Sequence, residues 1–149
     1  MSEAALLDVN VLIALFIEHH IHHDAAHDWF ADHGDQRWAT CPLTENAFMR
    51  VLSDPSQRTS RLPPSTLADY LGRFCLDERH DFWPDAVSMY DASLFDLSSL
   101  HGHRQLTDVY LLGLAVRRGG RLVTFDQSIP ISVVRGATRA SLETIALAE

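Results

Sequence analysis

The stretch Ala4–Ile17, AALLDVNVLIALFI, decides the reading of this chain. Ala4–Leu7 is a short apolar run, Asp8-Val9-Asn10 is a polar turn, and Val11–Ile17 is apolar again. A short apolar run closed by a turn reads as a buried strand, and the longer run after it reads as a helix. Asp8 and Asn10 interrupt the stretch well short of the roughly 20 apolar residues a membrane span needs. No basic region precedes it, so it lacks signal-peptide flanks as well. The expectation is a cytoplasmic protein with no membrane association.

The same unit recurs along the chain. Asp24–Ala31 carries Ala25, Ala26, Trp29 and Phe30 at helical spacing, and Arg37–Cys41 reads as a strand. Pro42 then precedes a helix over Leu43–Leu52, in which Leu43, Ala47 and Val51 share a face. Ser53–Pro64 is rich in Ser, Pro and Arg without apolar period and reads as an exposed loop. Ser65 is a plausible N-cap for a helix to about Glu78, with Leu67, Tyr70, Leu71 and Phe74 inward. Asp81–Trp83 is a short strand stopped by Pro84, and Val87–Leu97 carries no clear period. Gln105–Arg118 reads as a helix ended by Gly119-Gly120, Arg121–Phe125 as a buried strand, and Leu142–Ala146 as a last strand. Strands alternating with helices predict a three-layer α/β/α sandwich with a mainly parallel central sheet. At 149 residues the chain fits a single domain, 1–149.

Composition narrows the function. The chain has 20 acids against 12 basic residues, all of them Arg, for a net charge of -8. That balance argues against a protein that coats nucleic acid indiscriminately, because such affinity comes from Lys and Arg. The charge is also uneven. Residues 1–35 hold seven acids and no Arg, whereas residues 104–139 hold six Arg and two acids. Cys41 and Cys75 have no short-spaced partner, so both are expected to be free thiols.

Ligands of a parallel α/β sheet gather at the carboxyl ends of its strands. Asp8 and Asn10 follow the first strand, and Asp126 follows RLVTF. Glu45 opens the helix after Pro42, and Asp108 lies in the first turn of the helix before RLVTF. Singly, each acid is explained as an N-cap or a dipole partner. Four carboxylates converging would repel one another, and a divalent cation relieves that repulsion. One or two such ions, about 3.5 to 4 Å apart when paired, supply an activated water and neutralise charge that develops in a hydrolysis. A haloacid-dehalogenase-type phosphatase would need an Asp where Asn10 stands. A phosphoacceptor receiver would need a Lys, and the chain has none.

LLDVNVLIAL, TEN with Arg50 five residues beyond its Glu, LTDVYLLGLA and LVTFD occur in that order between residues 4 and 146. Together they resemble the PIN domain, a family of metal-dependent nucleases that includes the VapC toxins of bacterial toxin–antitoxin pairs. The resemblance implies that Asp8, Glu45, Asp108 and Asp126 hold Mg²⁺ or Mn²⁺, with Asn10 and Thr124 as supporting polar residues. It implies an RNA substrate, a homodimer and a VapB-type antitoxin whose basic segment covers the site. Alternatives are a PIN nuclease for RNA processing or DNA, and a non-catalytic PIN-fold binding module. Arg58, Arg61 and Arg104 are candidate phosphate contacts, since guanidinium pairs well with phosphate. His101 and His103, just before Asp108, are candidates of the same kind. His19, His23 and His27 stand at i, i+4 and i+8, a spacing that suits a chelating helix face, although a solvated His-rich face explains them more simply.

Overall fold

The computed structural model describes residues 4–56 and 62–147. Arg58 and Arg61 lie outside the described residues. The elements run in the order β1 (Ala5–Leu7), α1 (Val9–Phe16), α2 (His23–Asp32), β2 (Trp38–Thr40), α3 (Pro42–Leu52), α4 (Pro64–Phe74), β3 (His80–Phe82), α5 (Leu106–Arg117), β4 (Arg121–Thr124) and β5 (Leu142–Thr144). The five strands form one sheet in the order β3-β2-β1-β4-β5, parallel at every pairing.

Side-chain alternation builds two cores on this sheet. Leu6, Ala39 and Leu122 face one side with Val109, Leu111, Leu112 and Leu114 of α5. Ala5, Leu7, Trp38 and Val123 face the other, against buried residues of α1, α2, α3 and α4. The strands are apolar because both faces are covered. Full burial of each Leu contributes about 1.5 to 3 kcal/mol. The layering follows from connectivity: β1 to β3 step outward on one side, and the chain then returns across the sheet to β4 by way of α5. Right-handed crossovers place the helices of outward and returning connections on opposite faces.

Local chemistry shifts several boundaries. Helix α1 starts at Val9, two residues early, because the Asp8 carboxylate accepts the Val9 amide at 2.7 Å. Asp8 is therefore the cap of α1 as well as a strand-end acid. Helix α4 starts at Pro64 with Pro63 as its cap, so Ser65 is inside the helix and does not cap it. Proline at the first helical position sacrifices no intrahelical hydrogen bond. Helix α4 stops at Phe74, short of Glu78, where the Cys75 amide bonds to Leu71 and Asp77 turns back onto Arg79. Leu67 and Leu71 are buried as expected, but Tyr70 is 39% exposed, its ring edge-on to that of Phe16.

The segment without period, Val87–Leu97, contributes core without regular structure. Leu94 and Phe95 are buried against α5, and Phe95 bridges to Val134. The Phe95 ring lies over Gly113, where an added Cβ would fall 2.3 Å from its Cζ.

Candidate active site

The strand order reverses between β1 and β4, since the chain steps from β1 to one side and later returns to the other. Such a switch point leaves a crevice at the carboxyl ends of the two strands. Asp8 leaves β1 there, and Asp126 lies two residues beyond the end of β4. Leu7 pairs with Val123, so both exits sit at one level of the sheet.

A polar network locks the two exits together. The Thr124 hydroxyl donates to Asp8 Oδ2 at 2.8 Å. Thr124 Oγ1 itself accepts from the Asp126 amide at 3.0 Å and from Asn10 Nδ2 at 3.2 Å. Asn10 Oδ1 in turn accepts the Phe125 amide at 3.3 Å. Thr124 is fully buried and Asp8 is 3% exposed, which makes this a preorganised support. Asp126 is fixed separately, by the Ser128 amide at 2.8 Å and hydroxyl at 2.7 Å.

Asp108 enters from the first turn of α5. Its carboxyl is pushed up to about 7, first by burial, then by the charge of Asp8 and by its contact with Asp126. Burial also raises Asp8, against the opposing hydrogen bonds from Thr124 and Val9, and Asp126 adds to the rise. Asp126 itself is lowered, chiefly by Ser128. Three acids from three elements thus act on one another directly. A proton held at Asp108 relieves the crowding, and a divalent cation does the same with a larger charge. The donor set is all oxygen, which suits Mg²⁺ or Mn²⁺.

Glu45 shares this edge of the sheet but is differently engaged. Its carboxylate accepts the Thr40 hydroxyl at 2.6 Å, and it is not among the charges that shift Asp8, Asp108 or Asp126. Beside it stand Cys75 and His80, with donor atoms of all three within 4.8 Å of one another. Sequence reasoning missed Cys75 and His80, because the ends of α4 and β3 are far from Glu45 in the chain and carry no short-spaced signature.

A cleft of about 450 Å³ is lined by His101, Gly102, His103, Arg104, Gln105 and Ser128. Gln105 Nε2 donates to the Ser128 carbonyl at 2.8 Å, tying this wall to the loop that holds Asp126. Arg104, His101 and His103 thus share a cleft with Ser128, the residue whose amide and hydroxyl hold Asp126.

The His19–His27 spacing does not make a chelating face. Helix α2 begins only at His23, so His19 is outside it. His23 Nδ1 lies 2.8 Å from the Ala14 carbonyl and His27 Nε2 lies 2.9 Å from that of Leu15. These rings satisfy free carbonyls at the end of α1. His22 packs against Phe125, next to Asp126, with ring centroids 4.9 Å apart.

The family model of the PIN domain matches residues 5–132, which takes in the sheet through β4 and all four acids. This chain belongs to the PIN-domain family. It is 44% identical over 141 residues to Ribonuclease VapC44 of Mycobacterium tuberculosis, covering 95% of this chain and 99% of that one. Ribonuclease VapC39 of the same organism is 42% identical over 132 residues, 89% of this chain and 95% of the relative. Ribonuclease VapC38 is 42% identical over 142 residues, again 95% and 99% of the two chains. The PIN match accounts for the parallel sheet and its helical layers. Among the described residues, no helix is long and apolar enough to cross a membrane.

Proposed function

We propose that this chain is a single PIN domain acting as a Mg²⁺- or Mn²⁺-dependent endoribonuclease, the toxin of a type II toxin–antitoxin pair. The observation that carries the reading is the meeting of Asp8, Asp108 and Asp126 at the switch point, with Asp108 raised to about 7 by burial and then by its two acidic neighbours. The similarity to proteins named Ribonuclease VapC supports RNA as substrate.

The roles divide by geometry. Asp8 and Asp126, each held by hydrogen bonds from its own support, would hold the principal cation. Asp108 gives up its proton to join them, and Glu45 completes the set through water or by turning from Thr40. Asn10 and Thr124 keep the Asp8 carboxylate aimed into the crevice. When bound, the cation supplies an activated water and neutralises charge on the scissile phosphate. Arg104, with His101 and His103, holds neighbouring phosphates of the RNA in the cleft they line, and Arg58 and Arg61 extend that grip.

A basic protein partner fits the opposite charge pattern. A cleft of about 440 Å³ is lined by Asp24, Asp28, Asp32, Trp29, Ile145 and Leu147. Exposed acids around an apolar floor suit a basic amphipathic segment, in keeping with a VapB-type antitoxin. The working form is a homodimer in the cytoplasm.

The test is controlled expression followed by sequencing of RNA fragment ends, repeated in vitro with purified protein and Mg²⁺. Discrete cleavage sites that vanish with EDTA and with Asp8→Asn are expected. Full metal-dependent cleavage by Asp8→Asn would overturn the assignment.

A further inference from the structure

A second group, separate from the aspartates, has different chemistry. Glu45 comes from the first turn of α3, Cys75 caps the end of α4, and His80 opens β3. Their donor atoms lie within 4.8 Å of one another, and all three residues are half-buried. A tetrahedral site built on zinc bonds of about 2.0 to 2.3 Å needs donors about 3.5 Å apart. The three donors already stand within about 1.3 Å or less of that spacing, a gap within the reach of side-chain rotation. Glu45 and Cys75 both line an open cleft of about 470 Å³ with Pro42, Asn46 and Met49, so an ion has a path to them.

The cluster is held by a single hydroxyl. Thr40 Oγ1 lies 2.6 Å from Glu45 Oε2 and 2.8 Å from His80 Nε2, and it also touches Cys75. An arriving cation approaches from the cleft side and takes over the partners that Thr40 now satisfies. Carboxylate, imidazole and thiolate together make a borderline-soft set, which selects zinc-class ions over Mg²⁺. Three protein ligands leave a fourth position for water.

We propose that Glu45, Cys75 and His80 form a site for a zinc-class ion, and that its occupation holds Glu45 away from the aspartates and inhibits the nuclease. The inhibitory half rests on the nuclease reading above; the binding half does not. Binding displaces the Cys75 proton to solvent, so affinity rises with pH. The ion thus acts as a brake whose only shared part with the acidic site is Glu45.

Cobalt(II) is the spectroscopic probe, added to the full-length protein. A near-ultraviolet sulfur-to-cobalt charge-transfer band is expected, bleached by equimolar Zn²⁺. Cys75→Ser should abolish the band, and His80→Gln, which keeps a partner for Thr40, should weaken cobalt binding about tenfold or more. Neither residue belongs to the proposed catalytic set, so both variants should cleave RNA with Mg²⁺ as the parent does. Zn²⁺ should inhibit the parent's Mg²⁺-dependent cleavage but not that of Cys75→Ser. Absence of the band, or its persistence in Cys75→Ser, overturns the site. A band with equal Zn²⁺ inhibition of parent and Cys75→Ser overturns the link through Glu45. If the parent cleaves no RNA, the nuclease reading fails while the cobalt spectrum still decides the site.

Discussion

The Thr124 hydroxyl donates to Asp8 Oδ2 at 2.8 Å and so ties the end of β4 to the end of β1. It also accepts from the Asp126 amide, so one oxygen positions two of the three aspartates. Thr124→Val keeps the shape but leaves Asp8 and the Asp126 amide short of a partner in a buried place. The expected loss is about 1 to 3 kcal/mol of stability, read by urea unfolding. RNA cleavage should fall about 10- to 100-fold, as for other residues that orient metal ligands. Thr124→Ser should restore most of both. A fully active, fully stable Thr124→Val protein would show that the network is incidental.

The Asp108 carboxyl, raised to about 7, gives the metal-free protein a distinctive pH response. Between the ordinary carboxylate range and 7 the folded state holds a proton that the unfolded state has released. This group's contribution to stability is therefore present at low pH and is lost as pH rises toward 7. Half-buried His80 and His20 are lowered, chiefly by desolvation, and slope the other way, stabilising the fold as pH rises past their range. The difference between the parent and Asp108→Asn isolates the aspartate. In EDTA, Asp108→Asn should gain melting temperature over the parent as pH is raised from about 4 to 8, an interval that runs from the ordinary carboxylate range to past the raised value. Mn²⁺ should raise the parent's melting temperature more at the upper end and leave Asp108→Asn nearly unmoved. Parallel EDTA curves for the two proteins would refute the coupling.

What could be read from the chain alone follows from where its constraints are local. Leu6-Leu7-Asp8 and Val123-Thr124-Phe125-Asp126 each carry a buried strand and its polar exit in consecutive residues, so the sheet and the aspartates were legible. The reversal of strand order that makes those exits neighbours was legible only through the family resemblance. Helix ends depended on partners distant in the chain or on proline chemistry, which is why Ser65 looked like a cap when Pro63 and Pro64 start the helix. The engagement of Glu45 with Thr40, and its closeness to Cys75 and His80, arises from three chain crossings with no shared pattern. His23 and His27 show the converse: an apparent chelating period is the means by which α2 closes the end of α1.

Gly113 lets α5, and with it Asp108, approach the Phe95 segment. A Cβ at Gly113 would lie 2.3 Å from Phe95 Cζ and 2.4 Å from Cε1. Gly113→Ala gains about 1 kcal/mol in helix propensity. Overpacking in a filled core costs about 1 to 3 kcal/mol, and contacts this short place the cost toward the upper end. A net destabilisation is expected, measured as a lower urea midpoint with unchanged slope. A gain in stability would mean that the Phe95 ring moves aside freely.

Arg104 lines the cleft beside Ser128, whose amide and hydroxyl hold Asp126. If it grips a phosphate next to the cleaved bond, Arg104→Ala should weaken RNA binding by a similar factor whatever the sequence, and should reduce the dependence on salt. For single-stranded RNA each phosphate contact contributes about 0.7 to the slope of log affinity against log salt. The single variant should therefore lower the slope by about that amount, and a variant that also neutralises Arg58 and Arg61 should lower it by about three times as much. Binding is best measured by fluorescence anisotropy on Asp8→Asn, which should bind without cleaving. A slope unchanged in Arg104→Ala would place the RNA elsewhere on the surface, because a guanidinium that neutralises a phosphate cannot be removed without returning a counterion to the backbone.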